Sequence, residues 1–432
     1  MISSIQPKRQ PSIGNVSVSA LDSLSLPRHR WYFFKEAFSP EIVKRAAEDA
    51  DCGPSDLVVD PFCGSGTVPL QAALTGYRSR GTEVNPFLAF VARAKLSHCK
   101  PAALEPLLVA ATRGALKGRR SPLREFSTFT KRSGLSKWLF SRSVLDAFEG
   151  AWTAVDDVAT SSTPSQTLMR LCLIGAAMDA CNAVKDGKCL RYRPGWTTKA
   201  FGARDFIAAL ETRAAMIAAD LEAAPLVAPD ASVRRADARE PFRDGPFRLC
   251  VTSPPYLNSF DYTDVYRPEL FLGKWVKDMK DLRALRLKTI RSHVQVEWPD
   301  PTRDDFGSHY VETMAALRPC AKDLWNGRLP RMVQAYFEDM RRVLRNLRVR
   351  AQKNASVWIV VSTSAYGGIE IPVDLIIAEI AAGCRWYLRE VSVLRYLGRV
   401  AGQQWSELSE AKARGPHLRE SLVILDAQPR RS

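Results

Sequence analysis

The chain has 432 residues, 46% hydrophobic and 25% charged, an ordinary globular composition long enough for a full α/β core with an insertion. Its 62 Lys and Arg against 46 Asp and Glu give a net charge of +16, which favours a polyanionic partner because basic side chains gain free energy by displacing phosphate counterions. No apolar run reaches the ~20 residues of a membrane span, and the nine cysteines show neither CxxC nor zinc-knuckle spacing.

The segment from Met1 to Pro11 lacks the apolar stretch of a secretion signal. A soluble, cytoplasmic protein without membrane contact is expected, with Cys63, Cys172 and Cys250 as buried apolar thiols in a reducing compartment. Residues 1–28 are rich in Ser and Pro and predict a poorly ordered segment. Trp31-Tyr32-Phe33-Phe34 then precedes Ser39-Pro40-Glu41, a helix start with Pro at its first position, and that helix runs to about Asp49.

Asp56-Leu57-Val58-Val59-Asp60 predicts a buried strand. The helix after Thr67 carries Val68, Leu70, Ala72 and Ala73 and stops at Gly76. A second strand at 80–84 leads through Asn85-Pro86 into another helix, so residues 29–97 read as the first part of a doubly wound α/β domain. Over 98–231 the alternation stops. Leu168, Leu171, Cys172, Gly175, Ala176 and Met178 follow helical spacing, as do Phe206, Leu210, Ala214, Ile217 and Leu221, and no strand is expected there. This is a mostly helical, basic insertion. Strands resume at 232–235, 247–252, 356–362, 386–396 and 421–426, with helices at 329–347 and 372–382. Residues 232–432 therefore form the second part of the domain.

Two segments carry the chemistry. Asp60-Pro61-Phe62-Cys63-Gly64-Ser65-Gly66-Thr67 leaves the first strand as a glycine turn, where Gly64 and Gly66 allow positive φ and close backbone approach to a ligand. Asp60 can anchor the turn or an ammonium group. The turn lacks the lysine of a phosphate loop and the third glycine of a dinucleotide fingerprint. Glu83, at the tip of the next strand, stands where an acid grips ribose hydroxyls in this fold.

Ser253-Pro254-Pro255-Tyr256 leaves a later strand at the carboxyl end of the sheet. Two prolines fix φ and present carbonyls without competing N–H groups. The Pro254 carbonyl and the Ser253 hydroxyl can both accept hydrogen bonds from an exocyclic amine. Tyr256 offers a face for a flipped base.

Together these segments resemble the S-adenosylmethionine-dependent DNA amino-methyltransferases, which modify cytosine N4 or adenine N6. Asp60 to Thr67 is similar to the family's cofactor motif and Ser253 to Tyr256 to its [DNS]PP[YFW] catalytic motif. Lys35, Phe38 and Ser39 are similar to the upstream motif at the methionine end of the cofactor. Thr82-Glu83-Val84-Asn85-Pro86 is similar to the ribose-binding strand end, Ala236-Asp237-Ala238-Arg239 to the acidic motif near the adenine, and Arg419-Glu420-Ser421 to the start of the last strand. Asn258 to Tyr262 continues as in SPPY members.

The resemblance covers residues 29–97 and 232–426. It implies a doubly wound, seven-stranded Rossmann-like methyltransferase sheet with S-adenosyl-L-methionine as cofactor and no metal. Catalytic contacts fall to Ser253, Pro254, Pro255 and Tyr256. Cofactor contacts fall to Lys35, Phe38, Ser39, Asp60, Phe62, Gly64, Ser65, Gly66, Thr67, Glu83, Asn85 and Asp237. The leading Ser favours cytosine N4. Partners implied are double-stranded DNA with the target base flipped, and companion restriction or defence proteins.

Three basic groups are candidates for phosphate contact. Residues 113–142 hold Arg113, Lys117, Arg119, Arg120, Arg124, Lys131, Arg132, Lys137 and Arg142 against one acid, Glu125. Arg191, Tyr192, Arg193, Trp196, Lys199 and Phe201 interleave charge with aromatic rings, as stacking sites for single-stranded or extruded bases do. Lys280, Arg283, Arg286, Lys288 and Arg291 follow the catalytic motif. Three alternatives stay open at this point: a DNA adenine-N6 methyltransferase, an RNA methyltransferase of guanine N2 or adenine N6, and a nucleic-acid-binding protein without catalysis.

Overall fold

The computed structural model describes residues 6–12, 14, 18–158, 163–186, 189–198, 201–228, 230–397 and 418–429. In chain order the strands are β1 (Leu57–Asp60), β2 (Arg78–Glu83), β3 (Ala183–Asp186), β4 (Cys189–Tyr192), β5 (Ala231–Arg235), β6 (Phe247–Thr252), β7 (Ala351–Ser362), β8 (Ser364–Tyr366), β9 (Ile369–Ile371), β10 (Tyr387–Tyr396) and β11 (Arg419–Asp426). The first helices are α1 (Pro40–Asp49), α2 (Thr67–Thr75) and α3 (Pro86–Lys95). The insertion carries α4 (Glu105–Lys117), α5 (Arg142–Val158), α6 (Pro164–Asp179) and α7 (Ala203–Ala223). After β6 come α8 (Tyr262–Val265), α9 (Arg267–Leu272), α10 (Met279–Arg286), α11 (Ser308–Leu317) and α12 (Leu329–Arg350), and α13 (Val373–Gly383) follows β9. None of the described helices is long and apolar enough to cross a membrane.

Seven strands form one sheet in the order β10-β11-β7-β6-β1-β2-β5. All neighbours are parallel except β11, which runs antiparallel to both β7 and β10. The expected doubly wound sheet is therefore present. Its central strands are buried on both faces, which is why they read as continuous Val, Ile and Leu runs. Alternate residues divide between two cores. Val59, Cys250, Val357, Ile359 and Val423 face α12 and α13, while Val58, Leu249, Val251, Trp358 and Leu422 face α1 and α2.

Two expectations are corrected. The insertion is not free of strands: β3 and β4 form a small antiparallel hairpin. Ala-Val-Lys-Asp and Cys-Leu-Arg-Tyr are too short and too charged to show an apolar alternation, so periodicity could not reveal them. The insertion also packs into the rest of the domain. Phe87, Leu88 and Val91 of α3 and Leu270 and Phe271 of α9 share one apolar core with Val144, Phe148, Leu168, Leu171, Phe206 and Leu210.

The second correction concerns residues 1–28. Residues 1–5, 13 and 15–17 lie outside the described residues, but part of 18–28 is packed, with Leu21, Leu24 and Leu26 exposed. Val18, Ala20 and Ser23 are buried, and Arg28 is 0% exposed. The Arg28 guanidinium donates to the carbonyls of Lys95 (3.0 Å), Ser97 (2.9 Å) and Ala224 (2.6 Å). Further upstream, Lys8 exchanges backbone hydrogen bonds with Val391 and Val393 of β10. Polar contacts hold this segment, and apolar composition carries no sign of them.

Asp220, at the end of α7, gathers the segment that follows. Its buried carboxylate accepts from the Arg28 backbone N–H (3.0 Å), Arg30 Nε (3.0 Å) and Trp31 Nε1 (2.9 Å). Asp220→Ala would leave these donors without their anion. It is expected to lower the unfolding free energy by about 3 kcal/mol, read from urea denaturation of the full chain. An unchanged midpoint would show that the segment is not held there.

Candidate functional site

The parallel pairing of β1 with β6 sets Val58 beside Leu249 and Val59 beside Cys250. Both strands consequently end at the same edge, and the glycine turn and the Ser-Pro-Pro-Tyr segment emerge side by side. Asp60 ties the two ends: its Oδ1 accepts from the Phe62 N–H (2.9 Å) and from the Thr252 hydroxyl (2.6 Å). The anchoring role expected of Asp60 is the one its geometry performs.

Past Asp60 the chain turns through Gly64 (φ +50°) and Gly66 (φ +88°). The Gly64 N–H donates to Glu83 Oε2 (2.9 Å), and Glu83 Oε1 accepts from the Asn85 N–H (2.8 Å). Glu83 thus bridges the turn to the tip of β2. Each carboxylate oxygen keeps a further lone pair, and Glu83 lines the cavity below. Gly66 has the positive φ expected of it and a packing task besides. A Cβ there would lie 2.8 Å from Ala92 Cβ, so its bareness lets α3 pack on the turn.

Both motifs line one cavity of about 520 Å³. Asp60, Phe62, Gly64, Thr67, Glu83, Asn85 and Asp237 contribute to its wall, as do Lys35 and Phe38 and all four of Ser253, Pro254, Pro255 and Tyr256. Ser39, Ser65 and Gly66 are not on it. Ser39 is buried and caps α1 by accepting from the Glu41 N–H (3.4 Å). Ser65 lies beneath the turn, 3.5 Å from Lys95 Nζ. Sequence reasoning missed Glu36, Arg395 and Lys288 as cavity residues, and placed Tyr262 and Glu420 only within motifs. For Glu420 a signal existed: an acid entering the buried run Leu422-Val423-Ile424-Leu425.

The Tyr256 phenol is held between two groups. Its hydroxyl donates to Glu420 Oε1, and the Ser253 hydroxyl is its second hydrogen-bond neighbour. The Tyr266 hydroxyl donates to Glu36 Oε2 (2.7 Å), and burial pushes that carboxyl up from its ordinary range. Beneath the turn, burial lowers the Lys95 ammonium to about 7.

Burial likewise raises Asp60 to about 7 against its hydrogen bonds from Thr252 and Phe62, and raises Glu83 to about 7 against those from Asn85 and Gly64. Asn85 Oδ1 caps α3 through Phe87 N–H (3.0 Å) while its Nδ2 is buried with no hydrogen-bond partner among the described residues. An orphaned donor and an acid with spare lone pairs on one apolar-walled cavity fit a ligand carrying ribose and a purine ring.

Of the polynucleotide candidates Lys288 lines the cavity, and the other described ones lie elsewhere. Arg119 donates to Thr153 Oγ1 (3.1 Å) and Arg120 stays largely exposed near Glu125. Arg132 is committed internally, to the carbonyls of Glu125 and Ser127, and Arg193 to that of Cys181. Arg286 pairs with Asp261, and Arg291 is buried between Glu338 and Asp339, so both are structural.

Arg191 pairs with Asp186 at an exposed position. Tyr192, Trp196 and Trp138 form a half-buried aromatic group, with ring centroids 4.9 and 4.6 Å apart. Lys131 sits over Trp138 and Lys137 over Tyr192. Lys199 lies outside the described residues.

Comparison with known proteins places this chain among methyltransferases. The family model UPF0020, an RMKL-like methyltransferase domain, matches residues 29–113. The type II methyltransferase M.BsoBI of Geobacillus stearothermophilus is 24% identical over 92% of this chain and 85% of its own length. The type II methyltransferase M.AvaI of Nostoc sp. (strain PCC 7120) is 23% identical over 89% and 84%. Among solved structures, TrmN from Thermus thermophilus overlays with a TM-score of 0.30 at 10% identity, covering 90% of this chain and 48% of the other. The resemblance read from the sequence is borne out at this level: the protein is a methyltransferase, and S-adenosyl-L-methionine is its cofactor.

A carboxylic acid with a raised folded pKa binds its proton more tightly in the folded chain than in the unfolded one. Its contribution is therefore complete below pH ~4 and is lost as pH rises toward 7. Glu83→Gln removes that dependence. In the ligand-free protein, the stability of the wild type relative to Glu83→Gln is expected to fall by about 2 kcal/mol between pH 4 and 8, measured by urea midpoints. A gap that widens in favour of the wild type with rising pH would show that Glu83 is ionised throughout.

Proposed function

We propose that the protein transfers a methyl group from S-adenosyl-L-methionine to the exocyclic amine of a base flipped out of double-stranded DNA, with cytosine N4 as the target. One observation carries this reading: the glycine turn and Ser253-Pro254-Pro255-Tyr256 line a single cavity. The breadth of the similarity to two type II methyltransferases supports it, as does the net charge of +16.

Within the cavity the residues divide by task. Glu83, Asn85 and Asp237 hold the ribose and adenine side, and Lys35 and Phe38 the methionine side. When bound, S-adenosyl-L-methionine supplies an electrophilic methyl on a sulfonium. The Pro254 carbonyl and Ser253 hydroxyl accept the N–H bonds of the target amine, which withdraws its lone pair from the ring and turns it toward that methyl. Their dipoles also stabilise the positive charge that develops on nitrogen. Tyr256 supplies the stacking face, and the apolar walls exclude water. Rate on this account comes chiefly from alignment.

DNA contacts outside the cavity are assigned to the aromatic and basic group around Tyr192 and Trp196, with Lys131, Arg119, Arg120 and Arg191 at phosphates. Arg132 and Arg193 support that surface from within. Cytoplasmic location and a companion restriction or defence protein accompany this reading.

The direct test is transfer of a tritiated methyl from the cofactor to DNA and to RNA, followed by nucleoside analysis. N4-methylcytosine in DNA is the expected product. N6-methyladenine would correct the base, and label confined to RNA would overturn the substrate.

Ser253→Ala is expected to slow single-turnover transfer while cofactor and DNA affinities stay near wild type, since the hydroxyl acts on orientation. Tyr256→Ala should weaken retention of the flipped base by about 1–3 kcal/mol and leave cofactor affinity intact. A wild-type transfer rate in Ser253→Ala would remove the hydroxyl from the account.

A further inference from the structure

One wall of the cavity comes from neither the glycine turn nor the Ser-Pro-Pro-Tyr segment. The antiparallel register of β10 with β11 sets Arg395 opposite Glu420, and both side chains line the cavity. Glu420 is 6% exposed. It receives the Tyr256 hydroxyl on Oε1 and Arg395 Nε on Oε2 (2.7 Å). One buried carboxylate therefore joins the ring proposed to stack on the base to a guanidinium whose side chain is 48% exposed.

Two consequences follow from elementary chemistry. A tyrosine oxygen lies on the axis about which its ring turns, so an anchor there fixes that axis, and the preference of a phenolic O–H for the ring plane ties the plane to the direction of its acceptor. An anchor at Glu420 thus sets the tilt at which a base meets Tyr256. A guanidinium carries five N–H donors in a planar fork, of which Nε–H is one. The bond to Glu420 orients the rest of the fork while leaving N–H donors for an anion, and an arginine held this way is suited to phosphate.

The Coulomb logic agrees. A buried carboxylate is stable only when paired, so Glu420 and Arg395 stay together whether or not a ligand is present, and the site is formed in advance.

We propose that Glu420 and Arg395 complete the nucleotide site. Glu420 is a positioning residue that sets the Tyr256 ring for the base, and Arg395 binds a backbone phosphate of the DNA strand that supplies that base. This rests on the DNA methyl transfer proposed above. It gives the last two strands, beyond the motifs, a part in holding substrate. A merely structural cross-strand ion pair is the competing view, and it makes different predictions for salt dependence and for the conservative variant.

The experiment uses the full chain and duplex DNA that the protein methylates, with binding and single-turnover transfer measured over a series of salt concentrations. Loss of one phosphate contact lowers the slope of log affinity against log salt by about 0.9. Arg395→Gln is expected to show that loss, with cofactor affinity unchanged. Glu420→Ala should slow transfer about tenfold or more, because the ring loses its alignment. Glu420→Gln should recover most of that rate, since its amide oxygen still accepts the Tyr256 hydroxyl. Should Glu420→Ala fail to fold, Tyr256→Phe takes its place: it keeps the ring, removes the anchor, and should slow transfer likewise.

An unchanged salt slope in Arg395→Gln overturns the phosphate contact. Wild-type transfer in Glu420→Ala or Tyr256→Phe overturns the positioning role, as does equal slowing in Glu420→Gln and Glu420→Ala. Absence of transfer to DNA by the unsubstituted protein overturns the proposed function, and this inference with it.

Discussion

The hydrogen bond from the Thr252 hydroxyl to Asp60 Oδ1, at 2.6 Å, is the constraint on which the site depends. β1 and β6 are neighbours in the sheet but lie almost two hundred residues apart in the chain, on either side of the insertion. Their parallel pairing fixes direction, and the bond between their last residues fixes how the two loops leave the edge. This is the point where the strand order reverses, β2 and β5 lying on one side and β7 and β11 on the other. Diverging loops at such a point leave a crevice. The glycine turn and the Ser-Pro-Pro-Tyr segment form its two walls.

Holding that crevice together places charges where water is scarce. Asp60 and Glu83 accept from backbone N–H groups and a hydroxyl, and among the described residues no cation pairs with them directly. Burial outweighs those hydrogen bonds, so both carboxyls stand near 7 and not near 4. The same region keeps Lys95 near 7 beneath the turn. Burial thus leaves polar groups here whose charge state a ligand can still change.

The fold and the two cavity walls were legible because each rests on a local rule. Buried parallel strands show as apolar runs in Leu57-Val58-Val59 and Leu249-Cys250-Val251, and the turn needs glycine at positive φ. What escaped notice rests on contacts between distant segments. Arg28 is buried through three carbonyls that no pattern announces. Arg286 and Arg291 read as a basic face, yet acids from Asp261, Glu338 and Asp339 consume them. Gly66 read as a ligand contact, and its packing against Ala92 went unread. Charge counted along the sequence says nothing about which partner lies across the fold.

The antiparallel end of the sheet explains why a parallel nucleotide-binding architecture carries two further strands at this edge. A parallel β7 alone would leave its open edge beside the catalytic segment. β11 covers it, running back so that its first residues, Arg419 and Glu420, arrive at the same edge where β1 and β6 end. Arg419 is taken by Asp374 and Glu370, which fixes the strand in place. Glu420, one residue on, faces the other way by the pleat of the strand and reaches the cavity. The reversal of one strand is thus what allows a side chain from the far end of the sequence to stand behind Tyr256.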